Sequence, residues 1–72
     1  MKIRFKEDFG VTVIDGYGFE QDEFFFIGEE LEGEIFYDGG EYVTFGSVEG
    51  YQIHGLKKTQ FEEVLDEHFS MQ

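Results

Sequence analysis

Residues 30–45 read ELEGEIFYDGGEYVTF. The two halves alternate on either side of a glycine-bearing turn, which is the pattern of an antiparallel hairpin with one wet face. In the first half Leu31, Gly33, Ile35 and Tyr37 share one face, and Glu30, Glu32, Glu34 and Phe36 share the other. A two-residue Gly39-Gly40 loop would pair Ile35 with Thr44 and mix the faces. A three-residue loop of Asp38, Gly39 and Gly40 pairs Ile35 with Val43, Gly33 with Phe45 and Phe36 with Tyr42. That keeps each face uniform and leaves a glycine for a left-handed position, so it is the expected register.

The same alternation extends in both directions. In KIRFK (2–6) Ile3 and Phe5 share a face opposite Lys2, Arg4 and Lys6, which predicts a strand to about Phe9. GVTVIDGYGFEQ (10–21), with three glycines, reads as a long irregular hairpin. DEFFFIG (22–28) reads as a strand with Phe24 and Phe26 turned into the core and Phe25 outward. After the turn GSVEG (46–50), YQIHG (51–55) reads as a strand that pairs Tyr51 with Phe45 and Ile53 with Val43. Its outer face carries Gln52 and His54 beside Thr44 and Tyr42.

The C-terminal segment allows two readings. Thr59 and Glu62 have capping-box spacing, and Phe61, Val64, Leu65 and Phe69 have helical spacing, which predicts a helix over residues 60–69. The competing reading is a helical turn at 57–60 followed by a closing strand at 61–64.

The chain has 72 residues, enough for one domain with one core. A domain of this size buries only about 60% of the surface its unfolded chain exposes. There is no cysteine, so neither disulfides nor thiolate zinc can brace it. Ten Phe and four Tyr supply the apolar area instead. The missing cysteines fit a reducing cytoplasm, which is the expected location. No apolar run reaches the length of a membrane span, and MKIRFKEDF lacks an apolar signal core.

Seventeen acids stand against five bases, a formal net charge of −12. From Glu7 to Leu56 there are 13 acids and no Lys or Arg. Such a body repels DNA, RNA and anionic membranes, and its natural complement is a basic protein. Glu30, Glu32 and Glu34 recur every second residue, roughly 6.6 Å apart on a strand. Neighbouring pairs repel by only about 0.6 kcal/mol in water, so solubility alone can explain the row; the functional reading is a partner surface that imitates a phosphate backbone. Faces built for solubility mix both signs, which favours the partner surface. Phe36 and Tyr42 would stand beside this ladder as aromatic anchors, or form a cross-strand pair covered by Leu65 and Phe69.

No catalytic, cofactor or metal set is expected. The acids of DGYGFEQDE lack calcium-loop order. His54 and His68 lie on different elements, and the two serines, Ser47 and Ser70, fall in a turn and in the tail. No nucleophile–base pair results.

The order of pieces resembles the SH3-like barrel. A strand ending in KEDF precedes a long acidic hairpin; then come DEFFFIGEELEGEI, two glycine-turned hairpins and GLKKTQFEEV. Phe24 to Leu31 looks like the diverging-turn segment of that fold. The resemblance implies a mostly β fold of about five antiparallel strands, here with a short C-terminal helix. It does not carry proline-rich peptide binding, because that site uses tyrosines, a tryptophan and a proline. This chain has Phe5 and Phe9 near the first of these and neither of the other two. The chain also resembles small acidic proteins of bacteriophages, some of which imitate nucleic acid to block host defence. That resemblance implies a non-catalytic inhibitor acting in the host cytoplasm, and the strand pattern makes Glu30, Glu32, Glu34, Phe36 and Tyr42 the residues expected to meet a basic nucleic-acid-binding protein. A small acidic adaptor without mimicry is the alternative. Exposed strand edges leave both monomer and homodimer open.

Overall fold

The computed structural model describes residues 1–65. These form seven antiparallel strands: β1 (Lys2–Phe5), β2 (Phe9–Ile14), β3 (Glu20–Phe25), β4 (Glu30–Asp38), β5 (Tyr42–Ser47), β6 (Gln52–Lys57) and β7 (Phe61–Val64). They make one open sheet in the order β3-β2-β6-β5-β4-β1-β7. The protein is therefore mostly β, with more strands than the expected five. The segment read as an irregular hairpin is a regular one, in which β2 and β3 pair from Ile14 opposite Glu20 to Phe9 opposite Phe25.

The expected C-terminal helix does not form among the described residues. One 3-10 turn at Lys58–Gln60 leads directly into β7, which pairs with β1. The Gln60 side chain accepts a hydrogen bond from the Lys57 amide at 3.0 Å, in place of the Thr59–Glu62 box. Helical spacing misled because Phe61 and Val64 are also the two ends of a short strand. Phe61 is buried against the core, whereas Leu65 is exposed. Residues 66–69 of the expected helix, with His68 and Phe69, lie outside the described residues.

Ile3, Phe5, Phe9, Val13, Phe25, Val43, Phe45, Ile53, Leu56 and Phe61 form the core, packed by Val11, Leu31, Ile35 and Tyr51. The parity expected for β3 is inverted: Phe25 is buried, and Phe24 and Phe26 are about half exposed. Phe25 is opposite Phe9, and its ring lies 4.7 Å from Phe5, whose own ring meets Phe9 edge-on at 5.2 Å. Three rings from three strands thus clamp the β2–β3 hairpin to the sheet, a geometry favoured beyond simple burial. Phe24 and Phe26 pair on the outside at 4.9 Å.

The central hairpin keeps its faces but shifts its register by two residues. Ile35 pairs with Phe45 and Gly33 with Ser47. A bulge at Phe36 then moves the partner by one, so Tyr37 pairs with Thr44. The extra residue reverses the parity, which puts Tyr37 on the wet face although alternation had placed it inward. The β5–β6 hairpin shifts likewise: Phe45 pairs with Ile53 and Val43 with Leu56. Its extra residue lies between Ile53 and Leu56, where Gly55 holds φ at +75°. Positive φ costs glycine little, and β6 can therefore return both Ile53 and Leu56 to the core.

At Gly33 two strands nearly touch. A methyl group there would collide with the Gly46 carbonyl oxygen and lie 2.9 Å from the Phe45 ring. Replacing Gly33 by alanine should cost about 1–3 kcal/mol through overpacking, and Phe45→Ala about 3–5 kcal/mol through the cavity left. Urea unfolding midpoints check both. A midpoint for Gly33→Ala equal to the parent's would contradict the close approach.

Candidate functional surface

The acidic ladder forms, but its rungs differ. Glu30, Glu32 and Glu34 all lie on the exposed face of β4. β4 pairs with β1, which sets Glu30 opposite Arg4 and Glu32 opposite Lys2. Arg4 reaches Glu30 at 2.9 Å and Glu62 of β7 at 3.4 Å, bridging three strands. Lys2 stands 3.9 Å from Glu30, and the Met1 amine 3.3 Å from Glu32. The guanidinium of Arg4 is held still more firmly protonated, first by its hydrogen bond to Glu30 and then by the Glu30 charge. Two of the three rungs are thus engaged by the chain's own cations, and Glu34 is the one rung without an ion-pair partner among the described residues.

The expected Phe36–Tyr42 pair does not form. The bulge lifts Phe36 out of the ladder, and its ring covers Gly46, which lies opposite Glu34. Gly46 is buried beneath that ring, and a side chain at this position would displace it. Tyr42 instead lies opposite Lys57, whose ammonium stands 6.0 Å from the centre of the tyrosine ring. Glu34 and Phe36 therefore adjoin across Gly46, while Tyr42 belongs to the neighbouring end of the sheet. No one-residue rule of alternation reveals this, because the bulge is a property of the paired strands.

A second acidic region was not singled out by sequence reading. The β2–β3 hairpin, the turn after β3 and the β5–β6 turn enclose an open groove of about 430 Å³. Asp15, Glu23, Glu29, Glu30 and Glu49 line it, together with Phe24 and Tyr51, and no Lys or Arg does. Burial first, and then the charges of Glu49, Glu23 and Glu29, push the Tyr51 hydroxyl above its ordinary pKa, against the hydrogen bond with Ser47. The only sequence signal was the base-free run itself. The groove brings together acids far apart in sequence, so only the folded chain assembles it. Among the described residues no three His, Asp or Glu side chains converge as a metal ion would require. His54 meets Gln52 at 3.1 Å. No helix among these residues is long and apolar enough to cross a membrane.

Some of the acid is structural. Asp15 accepts hydrogen bonds from the Tyr17 and Phe19 amides at 2.9 and 3.0 Å, and from the Gln21 side chain at 3.1 Å. Asp8 accepts from the Ile27 amide at 2.7 Å, tying the turn after β1 to the turn after β3. Asp38 accepts from Lys58 Nζ and from the Gly40 amide, both at 2.9 Å. Asp15 sits below the usual carboxylate range because of its Phe19 and Tyr17 bonds, and Asp38 because of its Lys58 and Gly40 bonds.

Both lowered carboxyls favour the fold in their ionised form. Their contribution is complete above the ordinary aspartate value of about 3.9, declines below it, and is gone once pH falls below their folded-state values. Amide exchange at Tyr17 and Phe19, corrected for intrinsic rate, should therefore accelerate as pH drops from 5 to 2. Asp15→Asn should abolish that acid limb, and an unchanged limb would mean that Asp15 does not hold the turn. No family model, no curated protein and no solved structure matches the chain.

Proposed function

We propose that the chain is a non-catalytic protein-binding module of SH3-like type whose acidic surface occupies the nucleic-acid groove of a basic partner, in the manner of phage-encoded anti-defence or host-takeover proteins. The strand order supports the barrel reading. β4, β5 and β6 form a meander, β1 and β7 are neighbours, and a long hairpin precedes the meander. Fold alone assigns no activity, so the function rests on the surface.

One observation carries the reading: the separation of charge. Lys2 and Arg4 sit on β1 at the seam with β4 and β7, and Lys57 and Lys58 at the turn before β7. The groove and the β3 strand hold acids alone. Glu20, Asp22, Glu23, Glu29, Glu34 and Glu49 have no ion-pair partner among the described residues, so no cation of the chain stands between them and another molecule. Phe24, Phe26 and Phe36, each more than half exposed, adjoin these acids and supply the apolar anchors a contact of charges needs.

A partner's cations would reach Glu34, Glu23, Glu29 and Glu49 without competition from an ion pair, but at Glu30, which also lines the groove, and at Glu32 they must compete with Arg4 and the Met1 amine. That internal pairing favours a second reading, in which the seam cations and the ladder neutralise one another within a −12 chain and the protein is a small acidic adaptor.

Immobilised protein exposed to cell lysate should enrich nucleic-acid-binding proteins, which excess duplex DNA then displaces with the steep salt dependence of phosphate contacts. Retention through both DNA and high salt would favour the adaptor. Changing Glu23, Glu34 and Glu49 together to Gln should weaken capture about tenfold while leaving the thermal midpoint nearly unchanged.

A further inference from the structure

We propose that the outer edge of β3 receives a basic, extended segment of a partner protein as an added strand. β3 ends the sheet, and among the described residues no strand covers its outer side. Which groups point outward follows from the hairpin. The Asp15 amide donates to the Phe19 carbonyl at 2.9 Å, making that pair a hydrogen-bonded one. Bonded and non-bonded pairs alternate along an antiparallel ladder. Gln21, Glu23 and Phe25 therefore bond to β2, and Glu20, Asp22 and Phe24 turn their amides and carbonyls to the free edge.

This edge lacks the usual devices that blunt strand pairing. It has no bulge against β2, no proline and no lysine. It has charge instead, and of one sign. Glu20, Asp22 and Glu23 would face their own copies if two β3 edges met, and like charges across strands are destabilising. The same charges attract an extended segment with Lys or Arg at alternate positions. Glu20, Asp22 and Phe24 share one face at roughly 6.6 Å spacing, so two cations can meet Glu20 and Asp22 on that face. The next side chain on that face then meets the exposed Phe24 ring, which rests on Gly10 and pairs with Phe26. Strand addition takes its affinity from the main chain and its selectivity from alternate side chains. The inference rests on the basic partner proposed above and names the form that partner's contact takes.

The probe is a blocked octapeptide of alternating lysine and threonine, titrated at low salt into the full chain and followed by amide NMR. Peptide binding should protect the Glu20, Asp22 and Phe24 amides from exchange. Asp22→Asn removes one charge and should weaken binding severalfold. Asp22→Pro also removes an outward amide that β2 does not use, and should weaken binding at least tenfold more. Glu20→Pro repeats that test, and the Val11 and Val13 amide resonances report whether the hairpin survives in each variant. Equal binding by the Pro and Asn variants, or shifts spread over the groove acids without protection at β3, would overturn strand addition and leave the acidic-module reading intact. So would protection of the β3 amides without peptide, accompanied by dimers in analytical ultracentrifugation, since the occupant would then be a second copy. Absence of peptide binding at low salt would overturn it as well, and the DNA-competition capture tests the broader reading separately.

Discussion

The contact among Phe5, Phe9 and Phe25 carries the rest of the molecule. β2 meets β6 over only two residue pairs, Val13 with Ile53 and Ile14 with Gln52, which is a thin ladder for so long a hairpin. The three rings tie the β2–β3 hairpin to β1 where the ladder alone would leave the hairpin loosely attached. Around them, the Asp8 carboxylate and the Phe5 backbone groups hold the turn that carries Phe26, Ile27 and Gly28. In a chain without cysteine or metal-binding thiols, aromatic area takes the bracing role that cross-links have in many small domains.

Holding the hairpin this way has an electrostatic consequence. The acids of β3 cannot disperse, because Phe25 anchors one end of their strand and the Asp15 turn the other. Self-repulsion is tolerated because the side chains stay in water, where each pair costs little. The few cations are used where they relieve most. Arg4 lies between β4 and β7 and faces Glu30 and Glu62 together, and Lys58 meets Asp38. Little positive charge is left for the groove side, so the molecule presents one anionic side to its surroundings. That polarity, more than the total charge, is what the proposed basic partner would read.

The two glycine contacts and the two bulges shape the aromatic surface. The Phe36 ring sits against Gly46 because the bulge frees it from the ladder and the missing side chain leaves room. Gly33 lets β4 and β5 approach beneath Phe45. The first of these puts an exposed ring next to Glu34, the rung of the ladder that the seam cations leave alone.

Alternation and glycine placement in residues 30–55 determined, from sequence alone, that β4, β5 and β6 form a meander and that Val43, Phe45 and Ile53 point inward, whereas Leu56 reaches the core only through the bulge at Gly55. Charge counting determined that the chain carries a formal net charge of −12 and no Lys or Arg between Glu7 and Leu56. The tertiary structure decided the remainder. Two-residue periodicity cannot distinguish registers that differ by two, so the pairing of Ile35 waited on the bulges. Three phenylalanines in a row carry no periodicity, and Phe25 faces inward only because Phe5 and Phe9 are there to receive it. The strand EQDEFF has no apolar face of its own until β2 pairs with it. Which acids stay free was equally beyond the sequence, because Arg4 reaches Glu30 and Glu62 only after the sheet sets β1 between β4 and β7. Local pattern is a property of neighbours along the chain, and salt bridges, bulges and edges are properties of neighbours in space.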